Sequence, residues 1–175
     1  VSFLRAAADN MPISDVDVLI YSSIVHEINS YDDSGMQAVR KSLAEAFRAL
    51  NPGGRIIIRD FMRPEHGDNP VVFSQSRDDI TQGQIFIDFA SSFGMGVQGE
   101  QIDDNAFGPV YKTELRWLYE YIFRKDYHNN WAAELEELYG FWTMEEALAL
   151  LQEAGFEMVH SERVRNPWII EDRLK

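Results

Sequence analysis

Two short apolar runs, Val16-Asp17-Val18-Leu19-Ile20-Tyr21 and Arg55-Ile56-Ile57-Ile58-Arg59-Asp60, flank a single stretch of helical periodicity. No other feature constrains the fold so strongly. The first run is apolar almost without alternation, as in a parallel strand buried on both faces. Between the runs, Met36, Val39, Leu43, Phe47 and Leu50 recur on one helix face, which predicts an amphipathic helix over about 35–50. Asn51-Pro52-Gly53-Gly54 ends it, since proline lacks the amide a helix needs and glycine accepts the left-handed turn that closes one. Strand, helix and strand of these lengths make a right-handed crossover, so an α/β sheet is expected. Residues 1–8 read as the end of a further strand, and Asp9-Asn10-Met11-Pro12 as a turn.

The same rhythm returns near the C-terminus. Thr143-Met144-Glu145-Glu146 has the form of a capping box, in which the threonine and the glutamate three residues on satisfy each other's backbone amides. Met144, Ala147, Leu148, Leu151 and Ala154 line one face of the helix it starts, Gly155 suits its end, and Phe156–His160 read as another strand. The intervening residues 61–140 are far too many for an ordinary connection. They carry helical patterns near 80–93, 113–125 and 130–139, and eleven of the twenty-two aromatic residues fall between Phe107 and Trp142. The expected organisation is an α/β core from residues 1–60 and 141–175, with 61–140 as a mainly helical insertion or lid. Most of its aromatic residues are expected to form the insertion's own small core, and the remainder to cover the crevice.

Composition narrows the function classes. Of 175 residues 45% are hydrophobic, which suits a globular chain, and the net charge of −13 argues against nucleic acid or an anionic membrane surface as the main partner. No apolar stretch reaches the ~18 residues of a spanning helix. Cysteine is absent, which excludes disulfides and thiolate metal sites and favours a reducing, cytoplasmic setting. His26, His66, His128 and His160 are scattered without ligand spacing, so no metal is expected. Gly94-Met95-Gly96-Val97-Gln98-Gly99 matches a dinucleotide fingerprint letter for letter. That motif has meaning only after a strand and before a helix, whereas here Phe86, Phe89 and Phe93 precede it at helical spacing and a polar stretch follows.

The first apolar run ends in Ser22-Ser23-Ile24-Val25-His26-Glu27, and small polar residues at the carboxyl end of such a strand suit the rim of a ligand crevice. The series AADNMPISDVDVLIYSSIVHEI, then a helix, then LNPGGRIIIRDF, with FWTMEEALALLQEAGFEMV later, resembles the second half of the class I S-adenosylmethionine-dependent methyltransferases. The resemblance covers residues 1–60 and 141–160. It implies a partial Rossmann-like methyltransferase sheet, S-adenosyl-L-methionine as cofactor, and methyl transfer to an acceptor, most readily a small molecule. It also implies roles for particular residues. Asp9 would accept a hydrogen bond from the adenine amine, and Asn10 would offer its backbone amide to the ring. Ser22 and Ser23 would floor the crevice beside the methionine portion, and His26 would face the methyl donor or its entrance as the catalytic residue. The family's glycine-rich turn and ribose-binding acid have no counterpart and would precede Val1. The chain is therefore expected to be a fragment, inactive alone.

Methyl transfer from an activated sulfonium needs mainly positioning and exclusion of water, and a base only when the acceptor carries a proton. Candidate bases are His26, Glu27, Tyr127 and His128. Phe123–Trp131 mixes charged, amide and aromatic groups, and reads first as a polar turn between helices. Two other readings stay open: a non-catalytic partner-binding module with a degenerate nucleotide-binding fold, and a nicotinamide-dependent enzyme.

Overall fold

The computed structural model describes residues 5–81, 83 and 85–173. Of the strand end expected over 1–8, residues 1–4 lie outside them, and Arg5–Ala8 form no strand, having no ladder partner. In chain order the elements are β1 (Val16–Ser22), α1 (Val25–Tyr31), α2 (Met36–Ala49), β2 (Leu50–Arg59), β3 (Pro70–Ser74), α3 (Arg77–Thr81) and α4 (Phe86–Ser92). There follow β4 (Gly99–Asp104), β5 (Pro109–Glu114), α5 (Leu115–Arg124), α6 (Trp131–Glu134) and α7 (Met144–Glu153), with a single 3-10 turn at His128–Asn130 and a π turn at Ile169–Arg173. The chain is mixed α/β, with one small parallel and one small antiparallel sheet. It divides into two compact units. The first comprises the described residues through Met62 with Phe141–Ser161, and the second comprises Arg63–Gly140 with the described residues from Glu162 onward. Among the described residues no helix is long and apolar enough to cross a membrane.

In the first unit β1 and β2 pair in parallel through the α2 crossover, with Leu19 opposite Ile56, Ile20 opposite Ile57 and Ser22 opposite Arg59. The α2 stripe of Ala38, Val39, Leu43, Ala46 and Ala49 is buried. The Tyr21 hydroxyl lies 3.0 Å from the Ser42 hydroxyl on α2, which fixes the sheet face that α2 covers. The expectation that β1 is buried on both faces is corrected here. Val18 is 49% and Ile20 67% exposed, because a second helical layer is missing over their face among the described residues. The Thr143–Glu146 capping box is complete. At the other end of α7, Gly155 at φ 100° lets its own amide reach Gln152 O and the Phe156 amide reach Leu151 O, both at 3.0 Å, which closes the helix on itself. Phe156 then packs edge-on against Phe47 of α2. The strand expected over Phe156–His160 is not formed. These residues join no sheet, and Val159 is 74% exposed, so apolar character without a ladder partner was not enough.

The second unit departs from a mainly helical insertion. It contains an antiparallel sheet in the order β3-β5-β4, with Phe73 opposite Tyr111 and Gly99 opposite Thr113. β5 alternates buried Tyr111 and Thr113 with exposed Lys112, the period-two signature of a half-buried strand. β4, Gly-Glu-Gln-Ile-Asp-Asp, carries almost no apolar signal and is a strand because β5 pairs with it. The core joins Phe86, Phe89, Phe93, Tyr111, Trp117 and Tyr121. Of the eleven aromatic residues between Phe107 and Trp142, Tyr111, Trp117 and Tyr121 belong to this core, whereas Phe107, Tyr119 and Tyr127 are exposed and Phe141 and Trp142 belong to the first unit. The literal glycine fingerprint follows α4 and leads into β4, the reverse of the order a dinucleotide site needs. A Cβ on Gly99 would sit 2.7 Å from the Phe86 ring, so packing accounts for that glycine.

Candidate functional site

β1 and β2 run in parallel, so their carboxyl ends meet at Ser22-Ser23 and Arg59-Asp60. Ser23 has φ 53°, a left-handed conformation that a non-glycine residue adopts at a cost of about 1 kcal/mol or more. It turns the chain sharply from strand into helix α1, while its amide still donates to Arg59 O at 2.7 Å. The Arg59 guanidinium spans both serines, donating to Ser22 Oγ at 3.2 Å and to Ser23 Oγ at 2.9 Å.

Asp60 is the hub of the site. Ile24, the residue before α1, supplies no side-chain cap, so the first amides of the helix need an acceptor from elsewhere. Asp60 provides it across 35 residues of sequence, accepting from Val25 N at 2.7 Å and from His26 N at 3.3 Å. Its other oxygen accepts from Phe61 N at 2.8 Å and lies 2.6 Å from His26 Nδ1. An ionised carboxylate offers about four acceptor positions, and all four are used. Its negative charge also meets the positive end of the α1 dipole. The His26 side chain is 4% exposed and that of Asp60 0%, and the Phe61 ring lies edge-on to the imidazole at 5.3 Å. A carboxylate oxygen can only accept here, so in the Nδ1–H tautomer this short contact is a donation from the ring to Asp60.

Of the residues singled out in the sequence, Ser22, Ser23 and His26 gather at this one end of the sheet. Asp9 is tied to α2 instead, and Asn10 to the turn that holds Asp9. Asp9 lies in a turn closed by the Asn10 amide on Ala7 O at 3.1 Å, and its carboxylate accepts from Lys41 Nζ at 2.7 Å, which raises the lysine pKa. Glu27 is exposed in the first turn of α1. Tyr127 lies in the second unit with the Arg173 guanidinium 5.2 Å from its ring centre, and the His128 side chain lies outside the described atoms. Phe123–Trp131 does form a turn between helices. Asn130 makes no capping bond there, and Asp126 pairs with Arg173 at 2.8 Å.

Arg59 and Asp60 were missed by sequence reasoning. A signal existed: an acid closing the second of two parallel strands lies beside whatever follows the first. Among the described residues, no three carboxylates or histidines gather to hold a metal. No family model, curated protein or solved structure matches this chain.

Proposed function

We propose that the first unit is part of a Rossmann-like methyltransferase sheet that binds S-adenosyl-L-methionine and serves methyl transfer to a small acceptor. The observation that carries this reading is the convergence of Ser22, Ser23, Arg59 and the buried His26–Asp60 pair on the carboxyl ends of two parallel strands. Open α/β sheets bind ligands at that end.

The residues present fit such a group. The Asp9 carboxylate gives one oxygen to Lys41, and its other oxygen has acceptor capacity for an exocyclic amine. Ser22 and Ser23 are small enough for a ligand to approach the backbone, and the Arg59 guanidinium holds both of their hydroxyls in place. When bound, the sulfonium donor supplies an already activated methyl group. The chain then has only to hold the reactants in line and keep water out. His26 is the residue that would take a proton from the acceptor, with Asp60 holding its ring in orientation and in the Nδ1-protonated form.

The test is calorimetric titration of the 175-residue chain with S-adenosyl-L-methionine. Binding is expected to be saturable but weak, since no glycine-rich strand-to-helix turn stands before Asp9 in this 175-residue chain. Asp9→Ala should weaken it about ten- to a hundredfold, the loss of a charge-assisted hydrogen bond of roughly 1.5–3 kcal/mol. Asp9→Asn should cost less, and Ser22→Leu should block binding. If Asp9→Ala and Ser22→Leu both bind like the parent, residues 9–26 form no cofactor rim and the reading falls.

A further inference from the structure

The β1–β2 sheet is finished on one face only. Side chains alternate along each strand, and in-register partners share a face. One face therefore carries Leu19, Tyr21, Ile56 and Ile58, and α2 lies on it with Tyr21 hydrogen-bonded to Ser42. The other carries Val18, Ile20 and Ile57, which are 49%, 67% and 51% exposed. Parallel strands rich in β-branched residues occur with helices on both faces, because their crossovers and packing demand it. A bare face of this composition is an interface waiting for a layer.

The charges at its ends say what kind of layer. Arg55 stands opposite Val18 and Arg59 opposite Ser22, so two guanidiniums bracket the apolar stripe on the same face. Arg59 meets only the two serine hydroxyls, and among the described residues no carboxylate pairs with either arginine. This is conspicuous in a chain with 29 acidic and 16 basic residues, where carboxylates are in excess. Two copies of the face brought together would oppose arginine to arginine.

We propose that this face docks an amphipathic α-helix of a partner polypeptide. The helix would lay its apolar stripe on Val18, Ile20 and Ile57, and flanking carboxylates on Arg55 and Arg59. The proposal does not rest on the methyltransferase reading, and Ile20 and Arg55 are not among the residues given cofactor roles there.

Two synthetic helices of about 20 residues, long enough to hold helical structure alone, provide the probes. Both carry the same leucine stripe, flanked by glutamates in one and by lysines in the other. Binding to the full 175-residue chain is followed by fluorescence anisotropy and by the methyl resonances of Val18, Ile20 and Ile57. The glutamate helix should bind saturably and shift those methyls, and the lysine helix should bind about tenfold more weakly or less. Arg55→Glu should narrow or reverse that preference. Ile20→Glu, at a site already exposed, should lower affinity about tenfold or more while circular dichroism stays unchanged, and Ile57→Gln is a milder second variant. Any of four results overturns the proposal: no methyl shift with either helix, equal affinity for the two, binding indifferent to both Ile20→Glu and Ile57→Gln, or a self-association of the chain that Ile20→Glu abolishes. Saturable binding of anionic lipid vesicles through these same methyls, with neither helix competing, would equally overturn it.

Discussion

Each unit is organised around one buried carboxylate, and the two are balanced differently. In the first, Asp60 spends every acceptor position on donors: three backbone amides and the imidazole of His26. In the second, Glu120 on α5 accepts from Tyr139 N at 3.2 Å, Gly140 N at 2.6 Å and Arg124 Nη2 at 2.7 Å. Arg124 is completely buried, and its Nε and Nη1 find no hydrogen-bond acceptor. Aromatic faces stand in for one, with the guanidinium carbon 4.4 Å from the Phe93 ring centre, 4.7 Å from Tyr139 and 5.4 Å from Phe89. Such contacts are worth up to about 2 kcal/mol when desolvated. They recover only part of the cost of burying a cation, so the Arg124 charge depends on Glu120. One carboxylate is a local cap with a histidine attached. The other is the counter-ion without which a core fails.

That contrast predicts a ranking of stabilities. Glu120→Ala strands a buried guanidinium and two loop amides, and should cost about 3–5 kcal/mol in urea unfolding followed by circular dichroism. The double variant Glu120→Gln with Arg124→Met keeps an acceptor for Tyr139 and Gly140 and removes the cation. It should be clearly more stable than Glu120→Ala alone. If it is not, the charge balance is not what the second core depends on.

Asp60→Ala should cost less, about 2–3 kcal/mol, combining a lost helix cap with a buried imidazole donor left unsatisfied. Asp60→Asn should recover only part of that, because its amide oxygen still accepts from Val25 and His26, while its NH2 opposes the Phe61 amide and forces the His26 ring into its Nε2-protonated form. The comparison breaks if Asp60→Ala proves more damaging than Glu120→Ala.

The last effect is one of pH, read in the second unit. Burial, the largest cause, raises the Tyr121 and Tyr139 pKa values far above the usual phenol range. Nearby Asp79 adds to this for Tyr121, and a hydrogen bond to Glu134 does so for Tyr139. Both phenols stay protonated in the folded chain while the unfolded chain ionises near pH 10. The unfolded state then binds fewer protons, so stability falls as pH rises above about 10, by about 1.4 kcal/mol per pH unit for each phenol. Tyr121→Phe should remove one such slope in unfolding titrations between about pH 10 and 12. Unchanged slopes would show that these phenols are not buried in the folded state.

What the sequence revealed and what it hid divide along physical lines. The crossover over residues 16–59 and the Thr143 capping box were legible because periodicity and caps are local. Gathering of Ser22, Ser23 and His26 at one end of the sheet followed from the order of those elements. β4 was not legible, since Glu100, Gln101 and Asp103 give no strand pattern and its existence is owed to β5. The apolar run at Phe156–Val159 was misread for the converse reason: it has strand character and no partner. Asp60 was hidden by distance, as its bonds to Val25 and His26 span 35 and 34 positions. The sequence also could not show that one face of the parallel sheet is bare.

The cap that Asp60 gives to α1 has a consequence for how the chain folds. A helix of seven residues with no cap of its own lies below the length at which helices persist in water. α1 cannot act as an early seed and forms only once β2 has reached β1, after α2 has closed the loop between them. Ordering of the Val25 and His26 amides is thus a late event, slaved to long-range strand pairing. Any solvent exchange at those amides reports the opening of the sheet and not the fraying of a helix.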